Sequence, residues 1–257
     1  MSNRQPLLES YPMSTNIFQI HKEIGETPLQ ALERFRAAHQ DMKDEPMTYA
    51  GRLDPMAEGG LLILIGDECK NKEKYLGLDK EYEVEIVFGI STDTHDALGL
   101  ATPAVSSASN LNASKSLDLS KYVGTFSQEY PAYSAKTVNG KQLHELARSG
   151  DLPEEMPAKE VEIYSIESLE KHSIKAVDLK VSILANIDKI KGDFRQTEIK
   201  ARWEMILTDP NHSFECAKIK VRCSSGTYMR SLAHRIGRDM GTGAFAVSIK
   251  RTKILGV

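Results

Sequence analysis

Residues 80–88, KEYEVEIVF, alternate between two chemistries. Tyr82, Val84, Ile86 and Phe88 fall on one side of an extended chain, and Glu81, Glu83 and Glu85 on the other. Successive side chains of a strand point to opposite faces, so this segment reads as a half-buried strand. Such a strand needs neighbours at its edges and a layer over its apolar face. NIFQIH (16–21) and Leu61–Ile65 read as strands ahead of it. KEVEIYSIES, AVDLKVSIL, ARWEMIL and FECAKIKVRC, between 158 and 223, read as strand-like runs behind it, and AFAVSIKRT as a last strand.

Helical signals are interspersed among these runs. Thr27 is a fitting N-cap, Pro28 suits the first helical position, and Gln30 completes a capping box ahead of Leu29, Leu32 and Phe35 at helical spacing. Asp67–Leu76 is charged and reads as helical. Asn139–Ser149 is stopped by Gly150, and YMRSLAHRIGRDM by Gly241. Strands in runs, without strict βα alternation, point to an α+β fold: a mixed, mostly antiparallel central sheet flanked by helices. The Ser-, Ala- and Asn-rich stretch 101–118 reads as an exposed loop. No linker divides the chain, so one domain over 1–257 is expected, and 40% apolar residues suffice for its core.

The apolar run Leu61–Ile65 is far short of the ~20 residues of a membrane span. The start, MSNRQPLLESYPMSTN, lacks the basic-then-apolar pattern of a secretory signal. A cytoplasmic protein with no membrane partner is therefore expected. Cys69, Cys216 and Cys223 show no CxxC pairing, which argues against a disulfide framework and against a zinc site. The net charge of −3 hides an asymmetry: from Lys218 onward there are nine Lys and Arg against Asp239 alone. A basic end on a near-neutral chain fits one face turned to a polyanion, or a solvated basic face.

Three segments could carry chemistry. Gly51, Pro55, Gly59 and Gly60 mark YAGRLDPMAEGG (49–60) as a loop, in which Asp54 is either a turn residue or a working carboxylate. Ser91-Thr92-Asp93-Thr94-His95-Asp96 offers two carboxylates to a hard cation, as in a phosphotransfer enzyme, or closes a turn on its own backbone. Ser225-Gly226-Thr227-Tyr228-Met229-Arg230 stands at a strand-to-helix junction, where free N–H groups suit an anion or simple capping. Arg230, in the first turns of that helix, opposes the helix dipole and calls for an acidic partner.

Together these pieces resemble the TruB-type tRNA pseudouridine synthases. GRLDPMAEGGLLILIGDECK is similar to the family's G-x-L-D-P-x-A-x-G-x-L block, and KEYEVEIVFGISTDTHDALG to its K-x-Y and F-G-x-x-T-D-T-x-D block. YPAYSAKTVNGKQLHELAR, VRCSSGTYMRSLAHRIG and IKRT resemble the remaining blocks, in family order. The resemblance implies a pseudouridine synthase catalytic domain that isomerises a uridine, usually position 55 in the T-arm of tRNA, as a monomer with no cofactor or metal. By match of motif, it makes Asp54 the catalytic aspartate, Tyr82 the tyrosine stacked on the target base, and Arg230 the arginine paired with Asp54. Lys22 and Lys70 match RNA-contacting positions, and with Arg52, Tyr228, Tyr49 and Ile249 they make up the expected substrate-binding residues. Tyr49 stands where many members have His, and Ile249 where Leu commonly packs on the active site. Tyr130-Pro131 replaces Pro-Pro. The chain stops after the last block, so no appended PUA domain is expected. A non-catalytic RNA-binding or tRNA-folding protein on the same fold is the alternative these departures raise.

The residue types suit the reaction. It needs a carboxylate acting at the sugar, as nucleophile or as base. A close guanidinium would favour the anion and aim it. Everting a base costs a few kcal/mol, of which an aromatic face returns about 1–3.

Overall fold

A computed structural model describes residues 10–14, 16–103 and 117–256. The strands are β1 Ser10–Ser14, β2 Ile17–Lys22, β3 Met47–Ala50, β4 Ala57–Ile65, β5 Lys80–Phe88, β6 Ile90–Thr92, β7 Ala101–Pro103, β8 Gly124–Glu129, β9 Thr137–Val138, β10 Lys141–Gln142, β11 Ala158–Lys175, β12 Ser213–Cys223 and β13 Ala244–Ile254. The helices are α1 Pro28–Ala38, α2 Lys72–Leu76, α3 Leu143–Ser149, α4 Ala176–Asp188, α5 Gln196–Ile206 and α6 Met229–Met240. The main sheet runs β1-β2-β4-β13-β5-β12-β11-β8, with β3 paired to β4. Its pairings are antiparallel except β13 with β4, which is parallel. This is the α+β architecture that the sequence pattern predicts. Among the described residues no helix is long and apolar enough to cross a membrane.

The alternation in β5 places it as expected. Tyr82, Val84, Ile86 and Phe88 join Ile219 and Val221 of β12 beneath Leu232, Ala233 and Ile236 of α6. Val87 turns to the opposite face, where Cys216 and Phe245 meet Leu179, Ile183 and Ile187 of α4 and Ile199 and Trp203 of α5. The run Leu61–Ile65 is continuously apolar because it is covered on both sides. Leu61, Ile63 and Ile65 pack with Leu32 and Phe35 of α1, and Leu62 and Leu64 with Tyr75 of α2. The Thr27 capping box forms in full: Thr27 Oγ1 accepts from the Gln30 N–H at 3.2 Å, and Gln30 Oε1 from the Thr27 N–H at 2.7 Å.

Several expectations need correction. AVDLKVSIL and ARWEMIL are helices α4 and α5, not strands. Their β-branched residues favour strands, but Ala176, Leu179, Ile183 and Ile187 recur at helical spacing, and tertiary burial of that stripe overrides propensity. KEVEIYSIES belongs to an 18-residue strand that continues to Lys175. The loop expected over 49–60 shortens to 51–56, since β3 takes Tyr49 and Ala50 and β4 begins at Ala57. Within 101–118, Ala101 is buried at the start of β7 and Leu117 packs partly buried on the core. The remainder of that loop expectation, 104–116, lies outside the described residues, as do residues 1–9.

Candidate active site

The shortened loop 51–56 is anchored at both ends. Leu53 and Met56 are buried, the Ala57 N–H donates to the Asp54 carbonyl at 2.9 Å, and the Gly25 N–H to the Pro55 carbonyl at 2.8 Å. The Asp54 side chain is therefore presented from a fixed turn and keeps 36% of its exposure. Its partner arrives from the first turn of α6. Arg230 Nε donates to Asp54 Oδ2 at 2.8 Å, Nη1 to the Thr94 carbonyl at 2.7 Å and Nη2 to the Tyr133 carbonyl at 2.9 Å. At 2% exposure the guanidinium is held on three sides. Burial works against its charge, but Asp54 and Asp96 outweigh it and raise its pKa. The acidic partner that a cation near a helix N-terminus calls for is thus Asp54, 176 positions away in the chain.

Asp54 and Arg230 line a cleft of about 600 Å³ together with Arg52, Tyr82, Tyr228 and Ile249. Tyr82, 9% exposed, lies in its floor on β5, and burial raises its phenol, with the Arg251 charge partly offsetting that. Ile249 pairs with Val84 of β5 and Ala57 of β4, which brings three strands together under the cleft. The Tyr228 ring meets Tyr130 edge-on at 5.9 Å, and the Arg230 guanidinium lies 5.6 Å from its centroid.

Three expected site residues do not line this cleft. Tyr49 packs on the Ile20–Phe35 cluster, with Lys72 Nζ 5.2 Å from its ring. Lys70 is exposed and paired with Asp67 at 2.6 Å. Lys22 is fully buried, its ammonium donating to the Ala57 carbonyl at 2.6 Å and the Glu23 carbonyl at 2.9 Å; burial lowers its pKa to about 8. It braces the start of β4 and has no exposed surface.

The Thr92–Asp96 segment is a turn whose two carboxylates are taken up by neighbouring protein groups. Asp96 Oδ1 accepts from Thr94 Oγ1 at 2.7 Å and from the Leu98 N–H at 2.9 Å, while Asp93 accepts from the Leu100 N–H at 2.8 Å and pairs with Arg195 at 2.9 Å. Its role at the site is to aim the Thr94 carbonyl at Arg230. Burial pushes Asp96 up to about 6. At the Ser225–Tyr228 junction the Tyr228 N–H is taken by Gln128 Oε1 at 2.7 Å, so that amide serves packing and not an anion. The basic end is not one open face either. Arg230 and Arg251 are buried, and Lys218 and Lys253 pair with Glu83 and Glu81 on the polar side of β5.

Sequence reasoning passed over three cations of the cleft, Lys159 and two that are buried. Arg251 of β13 is 2% exposed; its Nε donates to the Gly60 carbonyl at 2.7 Å and Nη1 to the Arg52 carbonyl at 3.2 Å. Lys80 is also buried, donates to the Leu76 carbonyl at 2.9 Å and to the Leu78 carbonyl, and is lowered to about 8 by burial. The signal was present as a period of two: Arg251 follows Ile249, and Lys80 precedes Tyr82, on the faces that line the cleft.

Comparison with known proteins places the chain in a family. The fold matches a chain in the crystal structure of a Cbf5-Nop10-Gar1 complex with a TM-score of 0.53 and 17% identity, over 93% of this chain and 48% of that one. The family model described as "TruB family pseudouridylate synthase (N terminal domain)" matches residues 40–189, more than half of the sequence, and the chain belongs to that family. The tRNA pseudouridine synthase B of Aquifex aeolicus (strain VF5) is 29% identical over 235 residues, covering 91% of this chain and 67% of the relative. That of Francisella tularensis subsp. holarctica (strain FTNF002-00 / FTA) is 33% identical over 206 residues, covering 80% and 54%. The chain thus spans between about half and two thirds of the length of these relatives.

Proposed function

We propose that this chain is a tRNA pseudouridine synthase acting on a uridine of the T-arm, position 55. The observation that carries the proposal is the 2.8 Å Asp54–Arg230 pair, set in one cleft with the ring of Tyr82. In the reaction the C1′–N1 bond of the uridine breaks, the uracil turns, and a C1′–C5 bond forms. The proton on C5 leaves and N1 gains one, so no atom is added or lost. Asp54 supplies the carboxylate at the sugar. Arg230 fixes the direction of that carboxylate, since its other two hydrogen bonds run to backbone carbonyls that do not move with the side chain. Tyr82 offers its ring as the platform for the everted base. Arg52, exposed at the rim, offers its guanidinium to the sugar–phosphate backbone, while Lys159, which also lines the cleft, donates to the Ser225 carbonyl at 2.8 Å.

The test is incubation of the full chain with unmodified tRNA at low salt, followed by mapping of pseudouridine. Product at the T-arm uridine is expected, and Asp54→Asn should abolish it while leaving tRNA affinity within about threefold, the amide being isosteric. Binding without product by the wild type would overturn the enzymatic reading in favour of an RNA-binding or tRNA-folding role.

A further inference from the structure

On the sheet face opposite Tyr82, three adjacent strands bring a carboxylate, an imidazole and a thiol together. Glu85 lies on β5, Cys216 on β12 and His172 on β11, with His172 and Cys216 directly opposed in register. One donor atom from each lies within 4.8 Å of the other two, and His172 Nε2 is 3.1 Å from Glu85 Oε1. We propose that Glu85, His172 and Cys216 form a site for a divalent transition ion of the zinc class, with solvent completing a four-coordinate shell.

Three observations carry this. The first is chemistry: oxygen, nitrogen and sulfur are the donors a borderline-soft ion takes together, whereas magnesium and calcium reject the thiol. The second is spacing. A tetrahedron with metal–ligand bonds of about 2.0–2.3 Å has edges of about 3.3–3.8 Å, so the three donors need only small side-chain rotations to close on an ion. They stand on neighbouring sheet strands, where the backbone between them is fixed by ladder hydrogen bonds. The third is the outer shell. Among the described residues His172 Nδ1 is buried without a hydrogen-bond partner, and the Glu170 carboxylate stands 4.0 Å away, short of a hydrogen bond but within a side-chain rotation of the carboxylate–histidine contact that orients metal-ligating imidazoles. A His172–Glu85 ion pair accounts for two members of the triad but not for the third. The Cys216 thiol donates instead at 3.7 Å to the Phe214 carbonyl two residues away and has a backbone hydrogen bond with Ile174. Binding replaces the thiol proton, which passes to solvent, with a metal–sulfur bond, and no oxidation is involved. Spacing along the chain hides the site, since its members are separated by more than forty residues at each step and only strand adjacency assembles them.

The experiment is titration of the full chain, freed of metal by chelator and dialysis, with Co²⁺ as the spectroscopic probe and Zn²⁺ as competitor. The expected result is one Co²⁺ per chain with a thiolate-to-cobalt charge-transfer band that Zn²⁺ abolishes. That band should vanish in Cys216→Ser and persist in Cys69→Ser. Where Cys216→Ser fails to fold, Glu85→Gln and His172→Gln, both at half-buried positions, must each weaken Co²⁺ binding at least about tenfold with circular dichroism unchanged. No stoichiometric band in the folded wild type, a band that survives in folded Cys216→Ser, or unchanged affinity in the two Gln variants overturns the proposal.

Discussion

Replacing Arg230 with Met removes the guanidinium and keeps much of its stem. Three hydrogen bonds are lost, and they are not equivalent. Asp54 keeps 36% exposure and can turn to water, so the loss of about 3–5 kcal/mol typical of breaking a fully buried ion pair does not apply. The buried Thr94 carbonyl and the part-buried Tyr133 carbonyl instead lose their donor, at about 1–3 kcal/mol each. Removing a buried charge offsets part of this, which leaves a net loss of about 2–4 kcal/mol. For a chain of this size each kcal/mol moves Tm by about 2–4 °C, so Arg230→Met should melt roughly 4–16 °C below wild type. Turnover at a temperature where both are folded should fall at least about 100-fold, because the carboxylate is no longer aimed. Arg230→Lys keeps the charge but not the three-way fork, and should fall between the two. Differential scanning calorimetry with single-turnover pseudouridine formation measures both. A variant within about 2 °C and about threefold of wild type would refute the claim that this side chain is both strut and aiming device.

Tyr82→Leu keeps an apolar floor but removes the stacking face, so single-turnover rate should drop by the about 1–3 kcal/mol of a base–aromatic stack, roughly 5- to 150-fold; an unchanged rate would remove Tyr82 from the site. Asp96, raised by burial from 3.8 to about 6, binds its proton more tightly folded than unfolded. Its contribution to stability is therefore full below about pH 4 and lost as pH rises through about 6, and the Tm of Asp96→Asn should gain on wild type across that window. A difference that does not change with pH would show that Asp96 is not the titrating group. Gly59 has φ +114, and a Cβ there would stand 2.2 Å from the Arg251 carbonyl oxygen, where β4 and β13 run parallel. Gly59→Ala should lower stability by more than about 3 kcal/mol, read as a lost or strongly shifted urea transition.

What could be read from the sequence was what is encoded locally. The Thr27 capping box needs four consecutive residues, and the face of β5 needs nine; neither depends on distant partners. The matched motifs led to Asp54, Tyr82 and Arg230, which the fold brings to one cleft. The misreadings lie where depth or neighbours decide. Helices α4 and α5 carry β-branched and aromatic residues that favour strands in isolation, and their identity comes from the core they cover. Lys22 looks like a surface cation until β4 is laid against it, and the thirteen-residue stretch from Arg238 to Lys250 says nothing of the partners that Arg251 finds in Gly60 and Arg52.

The position of β13 bears on how such a molecule comes into being. Its two neighbours, β4 and β5, are translated well over a hundred residues before it, yet they meet only through it. A nascent polypeptide halted before residue 244 would leave one edge of β5 open and β4 open over residues 57–59, beyond the stretch that β3 covers, the state most exposed to mispairing with other chains. Because the same strand delivers Ile249 and Arg251, the cleft is finished only when residues 244–254 have cleared the ribosome.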